Sequence, residues 1–201
     1  MKKVFTIILG LQLSACAVYP QTNTLTGYLR LTDRYQIERQ RNLTIPFESN
    51  IYMPRVGFVG TGEESSSEEY VHLLNQAAAS FRATFRRVEV GRVDENGKQA
   101  LASAKQLHCD YALFITANDW HEGRDLPLLE ESKGKTGIDK IRLAIRLVEV
   151  SSGKLLDQAD IQGKSGYLSF FGDRPSDLAM VPLNQFARRL GAGRRPFVGL
   201  D

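Results

Sequence analysis

Tyr111-Ala112-Leu113-Phe114-Ile115-Thr116-Ala117 is an apolar run interrupted by a single threonine, with Asp110 before it and Asn118-Asp119 after it. A short apolar run with polar ends is the pattern of a strand buried on both faces, because neither set of alternating side chains is kept for water. Upstream, Lys98 to Leu107 has helical spacing, with Leu101, Ala104 and Leu107 or His108 inward, and Val88 and Val90 alternate with charges as a strand. Further upstream, Val71, Leu74, Ala78, Phe81 and Phe85 recur every three or four residues, an amphipathic helix. Ser65-x-x-Glu68 and Ser66-x-x-Glu69 fit a capping box at its start, and Glu63, Glu64, Glu68 and Glu69 complement the helix dipole. Arg55 to Val59 reads as the strand before it, running into Gly60-Thr61-Gly62.

Downstream the pattern changes. Asn118 to Asp139 is polar and contains Gly123, Pro127, Gly134 and Gly137, so it reads as a long loop. Ile141, Leu143, Ile145 and Leu147 then alternate with Arg142, Ala144 and Arg146, and Ser151 to Lys154 turns the chain into a partner strand, Leu155 to Ile161. A closing helix follows, started by Pro175 or Pro182, with Pro182 the better first helical position, Leu183, Phe186 and Leu190 inward and Gly191 as its stop. The expected fold is α/β: a mixed β-sheet of order β-α-β-α-β, then an antiparallel hairpin and a C-terminal helix, with helices packed on the sheet. Tyr28 to Leu31 and Asn42 to Phe47 are weaker strand candidates.

The chain has 201 residues, 42% hydrophobic and 24% charged, an ordinary globular balance. Its net charge is +3, from 26 basic and 23 acidic residues; without Lys2 and Lys3 it has 24 against 23, far from the dense positive field of a nucleic-acid binder.

Met1-Lys2-Lys3 is a short positive segment, and Val4 to Leu13 is apolar but shorter than a spanning helix requires, at about 20 residues. Leu13-Ser14-Ala15-Cys16 resembles the bacterial lipobox, in which small residues precede a cysteine that takes lipid. The resemblance implies a signal peptide over 1–15, lipidation at Cys16 and 186 residues remaining after the first 15 are removed. Residues 16–27 are then a lipidated tether, 28–193 a single α/β domain and 194–201 a flexible tail. Ala17, rather than Asp, follows the cysteine, which by the lipoprotein sorting rule implies the outer membrane with the body facing the periplasm. With Cys16 acylated, Cys109 has no disulfide partner and reads as a buried inert thiol rather than a nucleophile, because His108 beside it would point to the opposite face of an extended chain.

Asp110 to Phe114 with Asn118 to His121, Ile141 to Lys154, and Gly163 to Gly166 with Gly172 to Leu178 together resemble an uncharacterised family of proteobacterial lipoproteins, a domain of unknown function, over residues 50–190. More distantly, the element order resembles the curli-secretion lipoprotein, the penicillin-binding-protein activator lipoproteins and the N-terminal domain of the Tol translocation protein. Those likenesses imply an adaptor or activator, not an enzyme, with another envelope protein as partner.

The chemistry motifs are sparse. Gly57-Phe58-Val59-Gly60-Thr61-Gly62 lacks the Lys of a phosphate loop, and Glu63 and Glu64 stand where a phosphate would sit. The three histidines are scattered and no paired-cysteine spacing exists, so no metal or other cofactor is expected. Asp119, Trp120, His121 and Glu122, with Asp125 nearby, follow the central strand at the edge where open sheets place ligands. They fit a polar, solvated loop with Trp120 packed against the hairpin, a partner surface anchored by Trp120, or a small-ligand or metal site using the 118–139 loop. Tyr167, Phe170 and Phe171 lie among glycines and fit either cover for the sheet edge or an exposed binding patch. Arg82, Arg86 and Arg87 read as a solvated helix end.

Overall fold

The computed structural model describes residues 33–55, 67–121, 139–166 and 175–192. Cys16, Glu122, Tyr167, Phe170 and Phe171 lie outside them, as do the Gly57–Gly62 segment, the capping serines, the Tyr28–Leu31 strand candidate and Asp125.

Among the described residues, eight strands and three helices follow in chain order: β1 (Arg34–Arg39), β2 (Ile45–Pro46), β3 (Asn50–Arg55), α1 (Ser67–Arg82), β4 (Arg87–Asp94), α2 (Gly97–Gln106), β5 (Tyr111–His121), β6 (Lys140–Glu149), β7 (Leu155–Lys164), α3 (Asp177–Leu190) and β8 (Gly191–Ala192). Six form one sheet of order β1-β7-β6-β5-β3-β4, and β2 and β8 make a two-stranded pair. β3 is parallel to β4 and β5, whereas β5-β6, β6-β7 and β7-β1 are antiparallel. The mixed α/β sheet with helices on it is therefore as expected.

Strand register explains the core. Leu113, Ile115 and Ala117 of β5 stand opposite Leu147, Ile145 and Leu143 of β6, and all are buried. That face receives Leu73, Leu74, Ala77, Ala78 and Phe81 from α1 and Leu178, Leu183, Phe186 and Leu190 from α3, in one continuous core. The opposite face is covered more narrowly: Ala100 and Ala104 of α2 pack on Tyr52, Ala112 and Phe114. Tyr52 Oη donates to Glu95 Oε2 at 2.7 Å and Ser103 Oγ to Glu95 Oε1 at 2.5 Å, fastening α2 to β3. Burial, then the Glu95 carboxylate, pushes the Tyr52 phenol well above its ordinary range.

Several boundaries differ from the sequence expectation. The strand described before α1 is Asn50–Arg55, and Val56 to Val59 of the expected strand lie outside the described residues. Asn42 to Phe47 contains only the two residues of β2, while the edge strand β1 had no expected counterpart. α1 ends at Arg82, although Phe85 remains buried. Leu107 is 38% exposed and His108 is exposed too, so neither turns inward. His108 instead takes φ 54 after the last turn of α2, donating its N–H to Lys105 O, while Cys109 N–H reaches Ala104 O at 2.9 Å. This is the left-handed helix ending, made by a histidine where glycine is usual. Pro182 is not the first helical residue: α3 starts at Asp177 and encloses it.

Candidate functional site

The candidate residues on β5 owe their directions to one irregularity. Ala117 pairs with Leu143, but Asp119 pairs with Arg142, so Asn118 is an extra residue, a β-bulge. Without it, a period of two would send Asp119 to the core beside Ala117 and Trp120 to the outer face. With it, Asn118 and Asp119 are both exposed and Trp120 turns inward at 7% exposure, opposite Ile141 in the main core. One correction follows: Asn118 to His121 belongs to a strand rather than to the start of a loop. Of the two readings of Trp120, packing against the hairpin holds and the projecting anchor does not. Of the two members whose side chains are described, Asp119 reaches solvent and Trp120 does not. His121 ends the strand opposite Lys140.

Asp119 opens onto a polar sheet face. The outward residues of β6, β7 and β1 there include Arg142, Asp160, Gln162, Gln36 and Glu38. Arg142 grips Asp160 through Nε at 3.0 Å and Nη2 at 2.9 Å. Asp160, then Glu38 and Asp119, hold the Arg142 guanidinium above its ordinary value. Arg146 lies 5.6 Å from the centre of the Phe114 ring and marks where the α2-covered patch gives way to the open one. The arginine alternation was readable in β6 and Asp160 lies on its expected hairpin partner, but Glu38 comes from β1, a strand distant in sequence.

The remaining candidates are separate. Arg82 donates to Val88 O from Nε at 3.3 Å and Nη2 at 3.2 Å, and Arg87 pairs with Glu89 at 2.8 Å, so both serve local structure. Cys109 is buried beside a cavity of about 310 Å³ opening at Lys105, Tyr111 and Glu149. Burial pushes its thiol up despite the counter-pull of Arg87, which opposes a nucleophile and fits an inert thiol. Among the described residues, no group of three or more His, Cys, Asp or Glu could hold a metal ion. Among them too, no helix is long and apolar enough to cross a membrane.

The fold and this face define a mixed α/β module with one helix-covered face and one largely polar face. Residues 43–190 match the model of a domain of unknown function, DUF4823, and the chain belongs to that family. The fold is similar to that of the PelC dodecamer from Paraburkholderia phytofirmans, at 14% identity and a TM-score of 0.61, covering 80% of this chain and 99% of that one. Weaker likenesses are to lipoprotein GNA1162 from Neisseria meningitidis, at 15% identity and TM-score 0.38 over 69% of this chain and 99% of that one, and to the LpoB C-terminal domain from Salmonella enterica, at 14% and 0.34 over 58% and 82%. The fold likeness rests on the first alone. No curated protein matches the sequence.

Proposed function

We propose that the chain is a lipoprotein anchored through Cys16 to the outer membrane, facing the periplasm and acting as a non-catalytic binding or adaptor module for another envelope protein. The observation that carries the binding role is the open polar face of β5-β6-β7-β1, on which Asp119 is exposed in register with Arg142. Its side chains stand on a sheet whose other face is packed by two helices, so a partner would meet a preorganised surface at little entropic cost. The lipobox-like Leu13-Ser14-Ala15-Cys16 supports the anchor. The fold shared with PelC, described as a dodecamer, supports a role in assemblies.

In-cell photocrosslinking from position 119 tests the adaptor role. One dominant envelope protein trapped there supports it, and a blank from a correctly localised chain counts against this face. Cys16→Ala tests the anchor: the variant leaves the membrane fraction if Cys16 carries the lipid.

A further inference from the structure

The six-stranded sheet ends on one side in β1, which pairs with β7 alone. β1 keeps one register throughout, whereas β4, at the other edge, is shifted against β3 between Met53 and Arg55. An irregularity of that kind turns an edge away from other strands; β1 has none, and no proline. Gln40 donates its N–H to Gln158 O at 2.9 Å. By the antiparallel alternation, Gln36 and Glu38 then turn their backbone groups to β7, and Tyr35 and Ile37 turn theirs to the open edge. Among the described residues, no hydrogen bond outside the β1-β7 ladder involves the Tyr35 or Ile37 backbone. Such an edge is a template for one more strand.

The charges on β1 select that strand. Arg34, Gln36 and Glu38 alternate with the core residue Ile37 and so stand together on the polar face. Inside the sheet Arg34 is opposite Lys164 and Glu38 opposite Asp160, like charges that have interactions of their own. Among the described residues, the buried Nε of Arg34 has no acceptor, and Glu38 accepts from Gln36 Nε2 at 2.6 Å through Oε1, leaving Oε2 open. An antiparallel copy of β1 with Gln36 opposite Gln36 sets each Arg34 against a Glu38 and each Tyr35 against an Ile37. A register one residue away mixes the two faces of the sheet, and at two residues away Arg34 and Glu38 no longer meet. We propose that two copies of the chain join through β1, antiparallel about a two-fold axis at Gln36, making one continuous sheet of their two six-stranded ones. Tyr35 and Ile37 of each copy then exchange N–H···O=C bonds with Ile37 and Tyr35 of the second copy. The contact does not depend on Cys16, and Asp119 on β5, at the far side of β7 and β6, stays uncovered. One strand pair is small for an interface, so the dimer depends on concentration.

The test uses the full chain carrying Cys16→Ala and Cys109→Ala, with one new cysteine at a time. At the two-fold axis Gln36 meets its own copy in a non-hydrogen-bonded pair, with Cα atoms about 4.5 Å apart and so within disulfide range. Gln36→Cys should therefore give a disulfide-linked dimer under mild oxidation. Glu38 is about 14 Å from its own copy along the strands, so Glu38→Cys alone should stay unlinked. A mixture of Arg34→Cys and Glu38→Cys chains should link. Arg34→Glu should weaken dimerisation about tenfold in sedimentation equilibrium. Adding Glu38→Arg should restore it, which separates lost charge pairing from lost folding. Association through residues 1–15, common to all these chains, would link Gln36→Cys and Glu38→Cys alike. That result, an absence of Gln36→Cys dimer, or an Arg34→Glu dimer as strong as the parent's overturns the proposal. So does a Gln36→Cys chain that is trapped in cells on a different protein, which would give the edge to another strand.

Discussion

The carbonyl oxygen of Leu178 lies 2.9 Å from the position that a Cβ on Gly163 would take. Pro182 stands four residues after Leu178 and has no N–H, so this carbonyl cannot accept the usual helical hydrogen bond. The freed carbonyl and the missing side chain let α3 press directly onto β7, with Ile141 Cγ2 and Leu178 Cβ each 3.0 Å from the same point. Gly163→Ala should therefore destabilise by about 1–3 kcal/mol, the usual cost of overpacking. Gly97→Ala is the control: it opens α2, has nothing within 4 Å, and should be neutral or stabilising. Chemical denaturation of both variants measures the difference, and equal midpoints would sink the account.

Arg39 and Asp157 form a buried ion pair, with side chains 8% and 1% exposed. Arg39 donates to Asp157 Oδ2 through Nε at 3.0 Å and through Nη2, while Asp157 Oδ1 accepts the Arg41 N–H at 3.0 Å and the Gln158 N–H at 2.8 Å. Arg39 Nη2 also donates to Leu43 O at 2.6 Å, and its guanidinium lies 5.3 Å from the centre of the Phe186 ring. The pair thus ties edge strand β1 to β7, to the segment after β1 and to α3. Arg39→Met strands a buried carboxylate and should cost about 3–5 kcal/mol. Arg39→Met with Asp157→Leu should recover most of that loss, because no lone charge remains. A double variant as unstable as the single would mean that the hydrogen bonds to backbone, not the charge pairing, dominate.

Cys109 offers a check on pH dependence. Its thiol is pushed above the ordinary value, first by burial, so the folded state favours the protonated form. The associated stability is complete below the unfolded pKa of about 8.5 and is lost as pH rises through the higher folded value. In a Cys16→Ala background Cys109 is the one remaining cysteine. Its alkylation should be slow in the native protein at neutral pH and fast in denaturant. The alkaline fall in stability should be shallower in Cys109→Ala. A thiol that reacts as fast in the native chain as in the unfolded one would restore the nucleophile reading.

What the sequence made legible depended on whether local spacing carried the information. The β-α-β-α-β series and the hairpin were readable because Leu113, Ile115, Leu143 and Ile145 repeat in ways that need no distant partner. Edge strand β1 was not, because its core-facing set is Tyr35, Ile37 and Arg39, and Arg39 is acceptable there only through Asp157, 118 residues away. Pro182 was preferred to Pro175 as the helix start because its tolerance inside α3 depends on Leu178 and Gly163 meeting in space. The open face was half visible: Arg142 and Arg146 announced it, but the acids and cations beside them belong to β1 and β7. Trp120 had two directions on paper, packed against the hairpin or projecting as an anchor, because the bulge that decides between them leaves no mark in composition.

That bulge gives the sharpest test. Deleting Asn118 should restore a strict alternation in β5 and leave Asp119 opposite Arg142 and Trp120 opposite Ile141, because the residue removed is the one without a partner on β6. Asn118→Ala keeps the residue count and alters only an exposed side chain, so it should stay within about 0.5 kcal/mol of the parent. Trp120 is the single tryptophan, so its fluorescence reports this site alone. Both the deletion and Asn118→Ala should fold and keep the blue emission of a buried indole. Deleting Thr116 instead should cost more, because the chain can then keep Trp120 opposite Ile141 only by turning Ala117 outward and Asn118 into the core. A red-shifted emission from the Asn118 deletion would mean that Asn118 is not the extra residue, and the directions assigned to Asp119 and its neighbours would have to be redrawn.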